Sequence, residues 1–240
     1  MSMYMVQLTA RTGALLTWAR QSGVPSRDLG YLVHNALRAA FGQAAPQPFT
    51  ILDQPNGQAL TLLGYGLNSK QDLLASRAYM AEPLLAEAFP AQALADKPMP
   101  TAWPAGTEFG FRVRCCPVAR RHESDGSKVE RDVFLSACLR QPGQPIDRQE
   151  EYLKWLAREL GRGEAAELVS GRLRSFRLRR LVRRSGRGKA PANMGGERPD
   201  VEMEGVLRVA SPPSFANLIQ RGIGRHRAFG FGMLLLRAAR

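Results

Sequence analysis

The order of two hydrophobic periodicities constrains the fold of this chain more than any other feature of its sequence. In the first half, some segments alternate apolar and polar residues as a strand does, and others repeat apolar residues at helical spacing. These segments are a strand at 3–11, a helix at Asp28–Phe41, strands at Phe49–Leu52 and Ala59–Leu63 joined through Asn56-Gly57, helical residues at Ser69–Leu94 broken by Pro83 and Pro90, and a strand at Glu108–Arg114. This β-α-β-β-α-β order predicts a ferredoxin-like α+β sandwich, which is also the frame of RNA-recognition modules.

The second half of the chain repeats the same theme after a further strand at Val129–Leu139. Its segments are a helix at Asp147–Leu160, an arginine-rich strand near Arg172–Val182, a strand at Val201–Val209, a helix at Pro213–Gln220 and a last strand at Met233–Arg237. We therefore predict two tandem ferredoxin-like (RRM-like) domains, an N-terminal one at 1–143 and a C-terminal one at 144–240.

The charge of the chain indicates the class of its partner. Lys and Arg number 34 against 21 Asp and Glu, for a formal net charge of +13, which favours a polyanion. Most of the cations are Arg, whose planar guanidinium suits phosphate groups and unpaired bases. The N-terminus lacks the pattern of a signal peptide, and no run of about 20 apolar residues occurs, so we expect a cytoplasmic protein without a membrane partner. The three cysteines, Cys115, Cys116 and Cys138, fit neither a disulfide framework nor a zinc site.

One face of the predicted helix at Asp28–Phe41 carries candidate catalytic groups. Arg27, Tyr31, His34 and Arg38 are spaced four, three and four residues apart and so fall on one stripe. RNA supplies its own nucleophile, the 2′-hydroxyl, so a ribonuclease needs proton transfer and charge stabilisation but no metal and no cofactor. His34 is suited to the proton transfer, Tyr31 to sharing or positioning it, and Arg27 and Arg38 to stabilising negative charge. The alternative is that His34 is an ordinary solvated helix residue.

A second candidate site is the segment from Arg172 to Lys189, which holds nine basic residues and no acidic one. Such a density of positive charge is self-repulsive unless an anion lies against it. Its interleaved apolar residues indicate an ordered strand or hairpin, and we predict that it binds RNA phosphates. The predicted RNA-binding residues here are Arg172, Arg174, Arg177, Arg179, Arg180, Arg183, Arg184 and Arg187.

A third candidate is the glycine-rich segment between the last predicted helix and the last strand. Glycines allow a backbone to approach a ligand closely and to present its N–H groups. The residues predicted to bind phosphate here are Gly222, Gly224, Arg225, His226, Arg227, Gly230 and Gly232. His122 is interpreted as a surface residue with at most a minor RNA contact.

Three stretches resemble the CRISPR repeat-processing endoribonucleases, most closely the CasE branch of type I-E systems. YLVHNALRAAF, from Tyr31 to Phe41, is similar to the family's catalytic helix. VEMEGVLRV followed by SPPSFANLIQRGIGRHRAFGFGMLLL is similar to its C-terminal block, with Gly-x-Gly, five residues and Gly-x-Gly before the closing strand. FRVRCCPVAR, a polar turn and a second strand resemble its central β-hairpin.

The resemblance implies a function and assigns roles. It implies cleavage of the CRISPR repeat hairpin by 2′-hydroxyl attack, which leaves a 2′,3′-cyclic phosphate and a 5′-hydroxyl, and retention of the crRNA with the other subunits of an effector complex. It implies that His34 and Tyr31 are catalytic, and that a lysine near the scissile phosphate corresponds to Lys189. The chain departs from the family in a helical insert at 66–106, an insert before the first helix and an unusually basic 172–187 segment. A divergent relative, such as the processing protein of a type IV system, would explain all three.

Two other functions stay open on the sequence alone. The chain could be a subunit that binds the crRNA hairpin without cutting it, or a general structural RNA-binding protein. Cleavage of the repeat hairpin in EDTA would distinguish a repeat-specific ribonuclease from both of these alternatives. Equal affinity for unrelated hairpins would favour the general RNA-binding protein.

Overall fold

A computed structural model of the protein describes residues 2–52, 57–80, 82–122, 128–184, 191–193 and 196–239. The helices are α1 (Thr12–Gln21), α2 (Leu29–Phe41), α3 (Lys70–Met80), α4 (Pro83–Ala88), α5 (Val133–Arg140), α6 (Arg148–Leu160) and α7 (Pro212–Arg221). The strands are β1 (Tyr4–Arg11), β2 (Phe49–Leu52), β3 (Ala59–Gly66), β4 (Leu94–Pro98), β5 (Glu108–Cys115), β6 (Val118–His122), β7 (Lys128–Asp132), β8 (Ala166–Arg179), β9 (Val182–Arg184), β10 (Pro191–Asn193), β11 (Arg198–Val209) and β12 (Leu234–Ala238).

The first four strands form an antiparallel sheet in the order β2-β3-β1-β4. Alternate residues of β1, among them Val6, Leu8 and Ala10, are fully buried and pack in a cluster with apolar residues of α2 such as Val33 and Leu37. The period of two in the strand and the period of 3.6 in the helix thus each supply one face of the same core. The β2–β3 pairing confirms the predicted hairpin, although Asn56 of its turn lies outside the described residues.

The strand that completes this sheet is β4, and our prediction that Glu108–Arg114 completes it was wrong. β4 pairs with β1 from Tyr4↔Pro98 to Leu8↔Leu94. In its sequence, LADKP, only Leu94 is buried, because an edge strand with exposed side chains needs no apolar alternation. The prediction failed for that reason: the segment has no hydrophobic period to detect.

The second sheet has the order β12-β5-β11-β8, and all three of its pairings are antiparallel. Its strands and helices follow the chain as β5, α5 and α6, β8, β11, α7 and β12, which is again a β-α-β-β-α-β arrangement. The strand at Glu108–Cys115 therefore opens the second motif. The predicted fold class of two ferredoxin-like motifs is confirmed.

Two local predictions need correction. Helix α1 was not predicted, because Arg11 at its N-cap makes no side-chain capping bond and its buried face is limited to Leu15, Trp18 and Ala19. Residues 129–139 are not one strand: β7 ends at Asp132, whose carboxylate accepts a hydrogen bond from the Phe134 amide and starts α5. The predicted helical character of Ser69–Leu94 is confirmed by α3 and α4.

The chain divides into two compact units. Unit 1 contains Met1–Thr101, Leu181–Gly195 and Arg227–Met233, and unit 2 contains Ala102–Arg180, Gly196–His226 and Leu234–Arg240. These units differ from the domains predicted at 1–143 and 144–240, because β5 to α5 accompany the second sheet. The domain bounds of 1–143 and 144–240 stay a prediction, because the two units are defined by contacts between residues and not as domains. Within the described ranges, no helix combines the length and apolar character needed to cross a membrane.

Candidate functional site

His34 lies in unit 1, where three segments that are distant in the sequence meet. Helix α2 carries the imidazole, a 3₁₀ turn at Arg227–Phe229 lies against the helix, and the residues that begin β9 contact both. The ring of Phe229 lies edge-on to the imidazole, with 4.8 Å between the centroids. We name this arrangement the His34 cluster and define it by Asp28, Gly30, Tyr31, His34, Arg183, Ala228 and Phe229.

Asp28 ties helix α2 to the start of β9. One carboxylate oxygen accepts a hydrogen bond from the Tyr31 amide at 3.1 Å and so caps the helix. The other accepts from the Val182 amide at 2.8 Å and from an Arg183 guanidinium nitrogen at 3.2 Å. Asp28 is only 7% exposed, so this buried charge is balanced by the helix end, a backbone amide and one cation.

Gly30 permits the 3₁₀ turn to approach the helix. A Cβ added at this position would lie 2.2 Å from the carbonyl oxygen of Phe229 and 3.0 Å from its carbonyl carbon. Any other side chain would therefore displace the turn. A glycine in the first turn of α2 is explained by this close approach and not by backbone conformation.

The environment of His34 favours its neutral form. Burial lowers the pKa of His34 below its usual 6.5, and the positive charges of Arg38 and Arg183 lower this pKa further. A hydrogen bond to the backbone of Ala228 opposes the shift. We therefore expect a ring N–H of His34 to donate to the Ala228 carbonyl, which would leave the second ring nitrogen as the acceptor of the neutral imidazole.

Phe229 is the centre of the cluster. Its ring is stacked with that of Tyr31 at 6.1 Å between centroids, and the guanidinium carbon of Arg183 lies 3.6 Å from the Phe229 centroid. A cation over one ring and an imidazole at its edge are both favourable contacts. The orientation of His34 therefore depends on a phenylalanine almost 200 positions later in the chain.

Three residues of the predicted stripe lie on α2, whereas Arg27 precedes the helix, and the stripe is less exposed than we expected. Tyr31 is 5% exposed, His34 is half-buried, and Arg27 is exposed. Arg38 donates a hydrogen bond to the side chain of Gln43 at 3.1 Å. Tyr31 is buried because Phe229 covers it, and a covering residue from the far end of the chain is invisible to a helical wheel.

The predicted basic segment is divided between the two units. Arg172, Arg174, Arg177, Arg179 and Arg180 belong to unit 2, whereas Arg183 belongs to the His34 cluster of unit 1. Arg184 is the last residue of β9, and Arg187 and Lys189 lie outside the described residues. The basic segment is thus one feature of the sequence but two features of the structure.

The anions that lie against the arginines of β8 are carboxylates of β11, and RNA binding by these arginines stays a prediction. Glu204 accepts hydrogen bonds from Arg172 and Arg174, and Asp200 accepts one from Arg177 and lies 3.0 Å from Arg179. These carboxylates follow the arginines by 21 to 32 residues. Their alternation in DVEMEG is the sequence signal that we missed.

The glycine-rich segment contains glycines in the left-handed region and side chains that contact Glu130. Gly222, Gly224, Gly230 and Gly232 all have positive φ, from 68° to 82°, and a Cβ on Gly224 would lie 2.8 Å from the Trp155 ring. His226 is 7% exposed in its side chain, and its ring nitrogen lies 3.0 Å from Glu130 Oε2. Arg225 pairs with the same carboxylate. A bond from the side chain of His226 is the largest cause of the lowered pKa of Glu130, which is about 2.

This segment therefore has internal partners that were not predicted, and its contact with phosphate stays a prediction. The same holds for Arg227, which lies in the 3₁₀ turn of unit 1. Over the part of the chain that the structure describes, no group of three or more His, Cys, Asp or Glu side chains is arranged to hold a metal ion.

Comparisons with known proteins agree on one family. A family model described as "CRISPR associated protein" matches residues 3–238. The Cascade subunit CasE of Escherichia coli strain K12 is 28% identical over 134 residues, which are 55% of this chain and 58% of that protein. The alignment thus spans less than two thirds of the length of this relative.

Solved structures of similar fold cover nearly the whole chain. CRISPR endoribonuclease Cse3 bound to a 19-nucleotide RNA has a TM-score of 0.65 at 19% identity, with 100% of both chains covered. Cse3 of Thermus thermophilus, bound to an RNA that represents a pre-cleavage complex, has a TM-score of 0.64 at 19% identity, over 99% of this chain and 100% of that one. Cas6e of Escherichia coli K-12 has 0.60 at 20% identity, over 98% and 100%. At these identities the likeness shows a shared fold.

Proposed function

The chain belongs to the family of CRISPR-associated proteins, and from this premise we propose that it is an endoribonuclease that binds the CRISPR repeat stem-loop and cuts precursor crRNA without a metal ion. The observation that carries the proposal is the position of His34, whose imidazole lies edge-on to the Phe229 ring in the His34 cluster. Burial and the charges of Arg38 and Arg183 lower its pKa, which favours the neutral ring near pH 7. These are the properties of a general base.

The proposed reaction uses the RNA's own nucleophile. His34 accepts the proton of the 2′-hydroxyl, the 2′-oxygen bonds to the adjacent phosphorus, and the bond from phosphorus to the 5′-oxygen breaks. The products are a 2′,3′-cyclic phosphate and a 5′-hydroxyl, whose proton is donated by a second group or by solvent. Arg38 on α2 and Arg27, which precedes the helix, are suited to stabilising the negative charge that develops on the phosphate.

The roles proposed for Tyr31 and Lys189 rest on different kinds of support. Tyr31 is buried beneath Phe229, which favours a role in positioning His34 over direct proton transfer. On the basis of the resemblance alone, Lys189 stays a candidate for stabilising negative charge on the phosphate or for donating a proton.

RNA binding is proposed for the basic residues of both units. The arginines of β8 and the segment from Gly222 to Gly232 supply guanidinium groups and closely approachable backbone. Such contacts position the phosphate backbone and carry no sequence information directly. We further propose that the protein keeps the cut hairpin and joins an effector complex, as the name of its relative, a Cascade subunit, suggests.

The test of this function is cleavage of the repeat hairpin from the source genome in EDTA. We expect one cut, loss of the cut when the nucleotide that bears the attacking hydroxyl is 2′-deoxy, and a 2′,3′-cyclic phosphate on the product. A cut that survives the 2′-deoxy substitution would refute the proposed chemistry. RNA that co-purifies with the protein should be the cut hairpin if retention is correct.

The burial of Tyr31 and the half-burial of His34 favour one alternative, a subunit that binds the crRNA hairpin without cutting it. This alternative predicts tight, salt-sensitive binding and no product under any condition. The same assay therefore separates the two.

A further inference from the structure

Three carboxylates follow one face of β11, the strand between β5 and β8 in the second sheet. Asp200, Glu202 and Glu204 alternate with Val201 and Met203, which are fully buried in the core. Six arginines of the two neighbouring strands lie on the same side and pair with these carboxylates. We name this surface the arginine–carboxylate face: Arg112, Arg114, Arg172, Arg174, Arg177 and Arg179 with Asp200, Glu202 and Glu204.

Glu204 is shared by two arginines from β8. Arg172 Nε donates to one carboxylate oxygen at 2.8 Å, and Arg174 Nη1 donates to the other at 2.8 Å. The side chain of Glu204 is 12% exposed, against 72% for Arg172 and 43% for Arg174. The carboxylate is thus beneath and the guanidinium groups are above it. These hydrogen bonds lower the pKa of Glu204 to about 2, so it stays ionised at neutral pH.

Glu202 and Asp200 repeat this layering. Glu202 pairs with Arg112, and its side chain is 20% exposed against 47% for the arginine. Asp200, at 3%, accepts two hydrogen bonds from Arg114 at 2.7 and 2.8 Å and one from Arg177 at 2.9 Å. Burial alone would raise the pKa of Asp200, but the hydrogen bond from Arg114 and the charges of Arg114, Arg177 and Arg179 lower it overall.

This layering sets a condition on any RNA that binds here. A guanidinium bonds a phosphate with the same geometry as a carboxylate, so a phosphate competes with Glu202 or Glu204 for each arginine. A phosphate that takes one of two arginines leaves the carboxylate paired. A phosphate backbone that takes both leaves a partly buried carboxylate without a partner and beside negatively charged phosphates, which is unfavourable.

We infer that Glu202 and Glu204 are specificity-determining residues. By pairing with the arginines of this face, they weaken the phosphate contacts that RNA without the repeat hairpin would make there. Non-specific RNA draws its affinity almost entirely from phosphate contacts, so it loses most when guanidinium groups are already engaged. A hairpin that is recognised by its shape and bases makes further contacts and therefore loses a smaller share of its binding affinity. Non-specific RNA is thus rejected because its binding would leave the carboxylate of Glu202 or Glu204 unpaired, and not because the protein attracts it less.

The inference rests on the proposed function and is tested by binding. All proteins carry His34→Ala so that cutting does not obscure affinity. The variant is Glu202→Gln/Glu204→Gln, and the matched control is Glu150→Gln/Glu151→Gln on α6, which removes the same charge and also frees a cation, Lys154, from its ion pairs. Fluorescence anisotropy then compares the repeat hairpin with a scrambled RNA of equal length and composition over a range of salt.

We expect the Glu202/Glu204 variant to bind scrambled RNA about three- to tenfold more tightly, to bind the repeat hairpin with a smaller gain, and to steepen the salt dependence for scrambled RNA by about one to two phosphate contacts. The Glu150/Glu151 control should show a smaller change that both RNAs share. Glu204→Asp, which keeps the charge, should behave as the parent. Should the double variant fail to fold, Glu204→Gln alone is expected to give about half the effect.

Equal gains for the variant and its control on scrambled RNA would overturn the inference while leaving the proposed function intact. A parent protein that binds both RNAs equally would instead refute the proposed function. The two failures are therefore distinguishable in one data set.

Discussion

The His34 cluster and the arginine–carboxylate face use the same residue type in opposite ways. In the cluster, Arg183 is 14% exposed, lies over Phe229 and is paired with the buried Asp28, so it acts as a packed part of the structure. On the face, Arg172 and Arg174 are largely exposed and rest on carboxylates from which a phosphate can take them. Close packing defines the first region and charge balance the second. Substitutions at the first should therefore affect cleavage and stability, and substitutions at the second should affect affinity and its salt dependence.

The largest expected effect comes from His34→Ala. Loss of a general base should lower the single-turnover cleavage rate about 10²- to 10⁴-fold, with affinity for the repeat hairpin unchanged. Arg172→Ala/Arg174→Ala is the opposite case, with weaker binding, a salt slope reduced by about two and an unchanged cleavage rate at saturating protein. If His34→Ala weakened binding as much as cleavage, the contrast between the two regions would fail.

The next effect tests packing within the cluster. Gly30→Ala should force the 3₁₀ turn away from α2, with a cost of about 1–3 kcal/mol in the free energy of unfolding and a large loss of cleavage rate. The matched control is Gly13→Ala on α1, where an added Cβ meets no atom within 4 Å. That variant should be neutral or more stable by up to about 1 kcal/mol. Equal denaturant midpoints for the two variants would show that the turn does not need Gly30.

A third prediction separates the two bonds of Asp28. Asp147 caps α6 as Asp28 caps α2, through the Glu150 amide at 2.7 Å. Asp147→Ala should cost about 0.5–2 kcal/mol for loss of a cap. Asp28→Ala should cost about 1–3 kcal/mol more, because it also leaves the buried Val182 amide without its acceptor. Identical losses in chemical denaturation would mean that the bond to β9 contributes nothing measurable.

The smallest effect is a titration. Burial lowers the pKa of His34, and Arg38 lowers it further, so the NMR titration of this imidazole in the free protein should have its midpoint below 6.5. Arg38→Gln should move the midpoint upward, and we expect Arg20→Gln on α1, the control that removes the same charge, to leave it in place. Because a base works only when neutral, cleavage should rise with pH through this midpoint and then level off. A rate that falls over the same range would assign His34 to proton donation instead.

The sequence predicted the local half of this structure. The position of His34 on α2, the start of that helix at Asp28, the β2–β3 hairpin and the helix and strands of the C-terminal block all follow from periodicity, capping and turn residues within a few positions of one another.

The rest depends on pairs that are distant in the chain. Phe229 covers Tyr31, and Asp200 and Glu204 neutralise arginines 21 to 32 residues earlier. A local sequence pattern does not predict a partner that is distant in the chain. A basic run that is considered alone therefore overstates the positive charge available to RNA, and a helical stripe considered alone overstates its exposure.

The contact between Gly30 and Phe229 has a consequence for when the protein becomes competent. His34 precedes Phe229 by almost 200 positions, so a chain that is still being synthesised carries the imidazole before it carries the ring that contacts it. Assembly of the His34 cluster therefore follows synthesis of the turn at Arg227–Phe229.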